Sequence, residues 1–480
     1  MPHVPANRKG LLPVVLVAMF MAQFDLYVVN VALPVLQREL AASEASLELI
    51  VGGYAFTYAA ALITGGRLGD HFGHRSVFLV GMALFGGTSL MCGIAQSVQQ
   101  LVLFRLLQGV TAAILVPQVL ALITRGFPGP ERARALAWFG VTMGVGAVAG
   151  QVVGGMLLDF DVFGLGWRAI FLVNVPVAVV SVALGICMLP GREAKSSISF
   201  DLLGAVGISV ALALILIPLV SGRSHGWAPW TWICLAMSIP VLLSTLERER
   251  RVEKKGGNPV IPLVLFGSRA FNLGLGASIA LFAGFFSVVF ALTLVLQNGL
   301  DLTPMMAGLT FAPLGTAFAV TSILSRKHIA RYGARVIACG TVIVLVGLLA
   351  LVSVLYLVDT SLTAPVLIGP MVLIGLGNGI AIPALIGVVL SKSEPQQAGA
   401  LAGVLTTAQQ FASALGIAGV GTVFFAVLGT TDATSIGSYP DALAAAALCS
   451  VLLSIIGALL VFGLVRLDRP PSGSEVSGPV

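Results

Sequence analysis

Two charged residues, Asp25 and Arg105, lie within long apolar stretches of the sequence. Placing a carboxylate or a guanidinium at the centre of a bilayer costs at least about 2.5–3.5 kcal/mol on insertion scales, so such residues usually face a cavity and have a function. A carboxylate that changes its protonation state could couple a proton gradient to the movement of a solute. The structural alternative is a static ion pair that locks two helices together. The residue types favour proton coupling by Asp25 and Arg105.

Amide side chains form a second group of polar residues within apolar stretches. Lone amides in membrane helices more often bridge helices than bind a ligand. The amides that share an apolar stretch with Asp25 or Arg105, which are Asn30, Gln108 and Gln118, are the favoured ligand contacts. Gln297 and Asn298 are further amides within apolar stretches. The predicted lining of a substrate cavity is Asn30, Gln108, Gln118, Asn378, Gln409 and Gln410.

The segment Gly66–Arg75, with the sequence GRLGDHFGHR, could form a conformational latch. Its glycines permit a tight turn, and Asp70 could lie against a helix N-terminus while an arginine pairs with it. A solvated connecting turn is the alternative. The predicted latch consists of Gly66, Gly69, Asp70, Gly73, Arg75 and Arg134.

Glycines recur at about every fourth position in one apolar stretch, which places a smooth strip on one helix face. Such a strip lets another helix approach closely, and generic packing explains it as well as a specific role does. The residues predicted to serve helix packing are Gly146, Gly150, Gly154 and Gly155.

The sequence contains no pattern for catalysis, a metal site or a cofactor site. No Walker motif occurs, so ATP is not the expected energy source. Gly375–Gly379 imitates a dinucleotide fingerprint, but no strand precedes it and it lies inside an apolar stretch. The five histidines lie in predicted loops or the N-terminal tail. We therefore predict no catalytic residue, no metal, no cofactor and no enzymatic activity.

Composition shows which elements must position these residues. Of 480 residues, 58% are hydrophobic and 10% are charged, whereas soluble proteins contain about 25% charged residues. This composition excludes an ordinary soluble enzyme, a nucleic-acid-binding domain and a disordered protein. The net charge of +6 fits basic residues in cytoplasmic loops better than a nucleic-acid partner. The class is a polytopic α-helical membrane protein.

A helix that crosses the bilayer needs about 20 mostly apolar residues. Applied along the chain, this length predicts fourteen spans. They cover approximately 11–34, 47–66, 77–95, 101–124, 134–157, 168–189, 201–221, 230–246, 272–297, 305–325, 335–357, 363–391, 403–428 and 442–465.

The distribution of basic residues predicts the orientation. With a cytoplasmic N-terminus, 22 of the 26 basic residues lie on the cytoplasmic side and three, Arg38, Arg168 and Arg223, lie outside. Cytoplasmic loops are enriched in Lys and Arg, so both termini are expected in the cytoplasm. Asp25 is the one acidic residue assigned to a span.

A short repeated segment relates the first half of the chain to the second half. Aligning Gly73 with Gly333 also aligns Arg75 with Arg335, at an offset of 260 residues. Two six-helix halves at this offset leave spans 7 and 8 as an inserted pair. Parallel halves of six helices are typical of one large transporter superfamily, with substrate sites between the halves.

The sequence resembles the major facilitator superfamily, and in particular its fourteen-span drug:proton antiporters. The first-span motif around Asp25 has Tyr27 where the family usually has Thr. The segment around Arg105 is similar to motif B, whose arginine the family associates with proton transfer. The resemblance covers residues 11–465 and rests on Phe24–Pro34, Gly66–Arg75 (motif A), Leu101–Gly109 (motif B), Trp167–Pro176 and Asp201–Gly204.

The glycines of Gly146–Gly155 also resemble motif C, the antiporter motif. Where that motif usually has Gly-Pro, this chain has Gly150 and Gln151. The missing proline removes an expected local bend. The glycine frame is otherwise complete, so the resemblance favours export over uptake.

Together these features predict an all-α membrane protein with the major facilitator fold, two six-helix bundles plus two inserted helices. The predicted division is 1–200 and 272–466 for the two bundles, 201–271 for the inserted pair and linker, and 467–480 for a disordered cytoplasmic tail.

The expected function is proton-coupled efflux of small, largely apolar drugs or antibiotics across the cell membrane by alternating access. The alternatives are a proton-coupled uptake symporter for a metabolite and a non-transporting membrane sensor. The expected partners are a small-molecule substrate, protons and the lipid bilayer, without nucleic acid. The family resemblance implies a monomer.

Overall fold

The computed structural model is a bundle of long α-helices. It describes residues 8–127, 129–189, 201–222, 226–257, 259–260, 263–358, 362–391, 398–429 and 438–467. No strand occurs within these ranges, so the predicted all-α class is confirmed. The predicted tail 467–480 lies outside them except for its first residue.

Fifteen α-helices occur in these ranges. Two of them, α6 and α7, continue one another after a short 3-10 turn and form one apolar segment, Gly166–Met188. The bounds are α1 Arg8–Glu39, α2 Glu44–Phe72, α3 His74–Gly93, α4 Val98–Gly126, α5 Gly129–Asp159, α6 Ala169–Leu172, α7 Asn174–Met188, α8 Leu202–Ser221, α9 Pro229–Lys254, α10 Arg269–Leu294, α11 Pro304–Tyr332, α12 Ala334–Val358, α13 Ala364–Ser391, α14 Ala398–Leu428 and α15 Ser438–Leu467.

The helices correspond one to one with the fourteen predicted spans. In the described part of the chain, thirteen segments are long and apolar enough to cross a membrane, and Leu203–Leu219 is a shorter apolar helix. Most helices are longer than predicted: α1 has 32 residues, whereas the prediction was 11–34. Hydropathy measures only the part of a helix inside hydrocarbon, and the polar ends continue beyond it.

We call the side on which α1 begins and α15 ends the terminal side, and the opposite one the far side. The predicted glycine turn lies on the terminal side but is much shorter than expected. Gly66 and Gly69 belong to α2, and only Gly73, with φ of 88°, separates α2 from α3. The prediction of a turn at Gly69 is wrong, because the Gly73 N–H donates to the Gly69 carbonyl at 2.9 Å and continues the helix. Gly69 is small because the side chains of His74 and Gln118 lie against it.

The internal repeat is visible in the backbone. Gly333 has φ of 53° and is the single residue between α11 and α12, as Gly73 is between α2 and α3. A left-handed φ favours glycine, which explains why both halves have glycine at this position. We call α1–α7 the first half and α10–α15 the second half.

Glycines bring α5 close to helices of both halves. A Cβ built on Gly150 would lie 2.8 Å from the Phe24 carbonyl oxygen of α1, and one on Gly146 would lie 2.9 Å from Gln23 Cβ. Gly154 contacts Val28 in the same way, which is the close approach that the glycine spacing predicts. Gly155 instead meets the start of α11, so α5 joins the two halves.

The inserted helices α8 and α9 pack against each other beside the seam between α2 and α14. Leu216 of α8 is buried in a cluster with Ala55 of α2 and Ala414 of α14. On the terminal side, the Asp201 side chain accepts a hydrogen bond from the Gly204 N–H at 2.9 Å and caps α8. Arg248 of α9 donates to Asp201 at 2.6 Å. The predicted pair is therefore one hairpin that contacts both halves.

Candidate functional site

Asp25 lies at the centre of a buried polar cluster. Its carboxylate accepts a hydrogen bond from Arg105 Nη1 at 2.6 Å on Oδ2. Gln108 Nε2 and Asn174 Nδ2 donate to Oδ1 at 2.9 and 3.1 Å. The side chains of Asp25 and Arg105 are both 0% exposed. Three helices, α1, α4 and α7, therefore meet at one carboxylate.

The Arg105 guanidinium is held by further contacts. Its Nε donates to the Ile50 carbonyl at 3.1 Å, and Nη1 also donates to Gln108 Oε1 at 2.7 Å. The Tyr54 ring lies under the guanidinium, with 4.2 Å from Cζ to the ring centroid. Nη2 is buried and makes no hydrogen bond within the described structure. Contact with the Tyr54 ring partly compensates for this missing hydrogen bond, since aromatic faces attract cations.

Helix α3 adds Ser89 and Cys92 to this group of hydrogen bonds. Ser89 Oγ accepts hydrogen bonds from Gln108 Nε2 at 3.2 Å and Asn174 Nδ2 at 3.1 Å, and donates to the Phe171 carbonyl at 2.9 Å. Cys92 Sγ donates to Gln108 Oε1 at 3.4 Å. We call Asp25, Ser89, Arg105, Gln108 and Asn174 the polar cluster.

The polar cluster joins a titratable carboxylate to a guanidinium. Protonation of Asp25 would remove the charge with which Arg105 pairs, and a buried guanidinium without a counter-ion is unfavourable. No group of three His, Cys, Asp or Glu in the described ranges could hold a metal ion.

Sequence reasoning selected Asp25 and Arg105 but missed Ser89 and Asn174. A usable signal exists for Asn174. It lies six residues into the predicted span that begins at 168, and Gln108 lies seven residues into the span that begins at 101. Both spans begin on the far side, so these amides lie at similar depths.

Several amides predicted to line a cavity are bonded to protein instead. Gln108 belongs to the polar cluster, and Gln118 Nε2 donates to the Gly65 carbonyl at 2.8 Å. Gln409 Nε2 donates to Ser278 Oγ at 2.7 Å. These three amides bridge helices, which was the alternative to ligand binding.

The other three predicted cavity amides are buried. Asn30 is 2% exposed. Asn378 Nδ2 donates to the carbonyl of Ile374 in its own helix at 3.0 Å, while Asn378 Oδ1 and Gln410 Oε1 have no hydrogen-bond partner in the described ranges. A cavity role for these amides stays a prediction.

A second acid is buried within a helix. Glu48 in α2 is 3% exposed, and a Cβ built on Gly421 of α14 would lie 2.6 Å from Glu48 Oε1. The prediction that Asp25 is the one acid within a span is wrong. Glu48 is the second residue of the predicted span 47–66 but was counted with the preceding loop. Helix α2 begins earlier, at Glu44, and α14 covers the carboxyl.

The predicted latch is only partly within the described structure. Arg75 Nη2 donates to the Ile186 carbonyl of α7 at 2.8 Å. Arg134 lies on the surface of α5. The side chain of Asp70 lies outside the described part of the structure, so its pairing with Arg75 or Arg134 stays a prediction.

Three hydrogen bonds found in the described part of the chain join the two halves on the far side. Gln297 Nε2 donates to the Val31 carbonyl at 2.7 Å. Asn298 Nδ2 donates to Gln37 Oε1 at 3.1 Å, and the Met305 N–H donates to Asp159 Oδ2 at 3.2 Å. We call these three bonds the far-side contacts. They hold the two halves together at that end.

The sequence profile described as Major Facilitator Superfamily matches residues 15–199 and 202–417. The chain belongs to the Major Facilitator Superfamily. The family and the fold are those of multi-pass membrane transporters of small molecules, which confirms the predicted class.

Three curated relatives match most of this chain. The probable actinorhodin transporter of Streptomyces coelicolor is 35% identical over 436 residues, which cover 91% of this chain and 75% of the relative. The cephamycin export protein CmcT of Amycolatopsis lactamdurans is 33% identical, covering 96% and 93%. The tetracenomycin C resistance and export protein of Streptomyces glaucescens is 32% identical, covering 92% and 80%.

Solved major facilitator structures have the same fold. A bacterial homologue of the human lysosomal transporter Spinster, solved in an inward-facing and unoccupied conformation, aligns with a TM-score of 0.67 at 18% identity, covering 97% of this chain and 99% of that one. A bacterial homologue of the human drug peptide transporters PepT1 and PepT2 also gives 0.67 at 14% identity, covering 97% and 100%.

Proposed function

We propose that this chain is a proton-coupled exporter of small, largely apolar compounds, antibiotics among them, that works by alternating access. The observation that carries the proposal is the fully buried Asp25–Arg105 pair within a transporter fold. The names of the relatives support export: they include a cephamycin export protein and a tetracenomycin C resistance and export protein.

Coupling begins with a proton that reaches Asp25. The neutral carboxyl no longer holds Arg105 by charge, and the guanidinium moves toward its other partners, the Ile50 carbonyl and the Tyr54 ring of α2. Because Asp25 lies on α1 and Arg105 on α4, this movement changes how the two helices pack. The proton is released when the pair forms again in the other conformation.

In the proposed orientation the terminal side faces the cytoplasm and the far side faces outward. This orientation is supported by the 22 basic residues assigned to the terminal side against three on the far side. An inward proton gradient would then drive the compound toward the far side. We further propose that the chain acts as a monomer and that residues 201–271 separate the two bundles.

A static ion pair is the second candidate role for the polar cluster. All of its residues belong to the first half, and the Asp25 carboxylate already accepts three hydrogen bonds. Such a cluster could hold the first half rigid without exchanging protons. Uptake instead of export is a further alternative, because Gln151 stands where the antiporter motif has proline.

Gradient-driven efflux from proteoliposomes tests the proposal, with a panel of neutral and weakly charged antibiotics. Asp25→Asn cannot release a proton, so it should lose uphill efflux by at least tenfold while it still exchanges substrate across the membrane without a gradient. Asp441→Asn, which neutralises an exposed acid of α15, should transport as the wild type does.

Glu48→Gln tests a second buried acid in the same assay. If it retains gradient dependence, Asp25 is the coupling site. Full uphill transport by Asp25→Asn would contradict the proposal, and loss in both uphill transport and exchange would favour the static ion pair.

A further inference from the structure

Gln151 of α5 is a buried amide. Its side chain is 4% exposed, and neither Oε1 nor Nε2 has a hydrogen-bond partner in the described part of the chain. Leaving a buried donor and acceptor unpaired is costly, and native structures contain few such groups. A ligand that offers both a donor and an acceptor would satisfy both atoms.

Helical geometry places Gln151 in the seam between the two halves. Gly150 and Gly154 face α1, and Gly155 faces the start of α11. At about 100° per residue, Gln151 points between these two faces. Gly308 of α11 also packs directly against the Gln151 backbone. The amide therefore lies where α1 and α11 approach each other across α5.

Aromatic rings line the α1 side of the same seam. A Cβ built on Gly150 would lie 2.9 Å from Tyr27 Cβ, so Tyr27 of α1 packs beside the residue that precedes Gln151 in α5. The Tyr27 ring is 5.8 Å from the Phe286 ring of α10, and Phe286 stacks on Phe282 at 6.0 Å. None of these four residues carries a formal charge.

We infer that Gln151 determines substrate specificity by hydrogen bonding to a neutral, planar aromatic compound that carries a carboxamide group. The Gln151 side-chain oxygen accepts from the N–H of the ligand and the Gln151 side-chain N–H donates to the ligand carbonyl, while the rings of Tyr27 and Phe286 pack on the apolar face. The site opens when α5 and α11 separate. This inference rests on the proposed function, in which the halves part around a largely apolar compound.

The position explains a departure from the family motif. Motif C usually has proline where this chain has Gln151, and proline has neither a side-chain donor nor an acceptor. Replacing it by glutamine adds two hydrogen-bonding groups in an apolar seam. A ligand that satisfies both groups is favoured over one of the same shape without oxygen atoms, because the latter leaves them unpaired.

Equilibrium binding to the full-length protein in lipid nanodiscs tests the inference. The probes are radiolabelled anthracene-2-carboxamide and anthracene, which share a three-ring plane, with binding to empty nanodiscs subtracted. Gln151→Met should weaken anthracene-2-carboxamide binding about 3–10-fold, the range expected for one or two hydrogen bonds, and change anthracene binding less than about twofold. Val153→Met, on an exposed face of α5, should change neither affinity.

Several outcomes would overturn the inference: wild-type protein that binds both probes equally or not at all, unchanged anthracene-2-carboxamide binding by Gln151→Met, or equal loss for both probes. Gln151→Leu serves as a second apolar variant. Equilibrium binding needs no gradient, so failure of proton-driven efflux would contradict the proposed function and leave the binding result intact.

Discussion

At the scale of single residues, Asp25 and Arg105 show how far sequence reasoning reaches. Their cost in a bilayer identified them as functional. The hydrogen bonds made by Ser89 and Asn174 depend on the rotation of α3 and α7 about their axes. Composition and span length do not contain that rotation, so the contributions of α3 and α7 to the polar cluster were missed.

Asn174 provides a test of how the cluster positions its carboxylate. Asn174→Leu removes one of the two hydrogen bonds on Asp25 Oδ1 and leaves Ser89 with one fewer partner. A hydrogen bond to a charged group contributes about 1.5–3 kcal/mol, so coupled efflux should fall about tenfold or more. Dependence on the proton gradient should persist, since Asp25 and Arg105 remain.

The measurement is the initial efflux rate against imposed pH gradients in proteoliposomes with equal amounts of protein. Asn272→Leu, which alters an exposed asparagine on the terminal side, is the matched control. Unchanged rates for Asn174→Leu would show that Asn174 packs beside Asp25 without positioning it.

At the scale of elements, the apolar stretches predicted every membrane helix but not the helix ends. Gly69 is the clearest case, because a glycine-rich segment resembles a turn while its first two glycines are helical for close packing. The single positive φ at Gly73 is what ends the helix. A sequence alone does not distinguish a glycine chosen for its conformation from one chosen for its size.

The contact between α8 and α9 on the terminal side involves Asp201, which the sequence analysis singled out only by family resemblance. Burial disfavours the charged form of Asp201, yet the hydrogen bonds from Arg248 and the Gly204 N–H hold the pKa of Asp201 below its usual value. A carboxyl group whose pKa is lowered by folding stabilises the folded protein at pH values above its usual pKa. This stabilisation is lost as the pH falls through the lowered pKa. The hairpin contact therefore persists at neutral pH.

Among the far-side contacts, Asp159 is the one acid that caps a helix of the other half. Its carboxylate accepts from the Met305 N–H in the first turn of α11. Such an interaction contributes about 0.3–1 kcal/mol at an exposed position. Asp159→Ala should therefore shift the equilibrium about two- to fivefold toward a far-side-open state.

Spin labels at Phe163 and Met306, exposed residues on the far side of either half, measure this shift as a change in the population of longer distances. Asp161→Ala is the matched control, because Asp161 accepts from the Gly166 N–H within its own half. An equal shift in both variants would show that the effect is not due to the bond between the halves.

At the scale of the whole molecule, α1 links the polar cluster to the seam. Asp25 faces the cluster, while Tyr27, two residues later, meets Phe286 of the second half, and the Val31 carbonyl accepts from Gln297. A shift of α1 upon protonation of Asp25 would alter these contacts directly. Coupling between a site in one half and a seam between both halves therefore needs no long pathway.

The orientation of the whole molecule is the step that connects this geometry to export, and it rests on the distribution of basic residues. With 22 basic residues on the terminal side and three on the far side, Lys255 should face the cytoplasm and Phe163, 93% exposed, should face outward. Single cysteines are introduced at Phe163 or Lys255 after the five native cysteines are replaced. An impermeant maleimide should label Phe163→Cys in intact cells and Lys255→Cys only after permeabilisation. The reverse pattern would place the far side in the cytoplasm, and an inward proton gradient would then favour uptake over export.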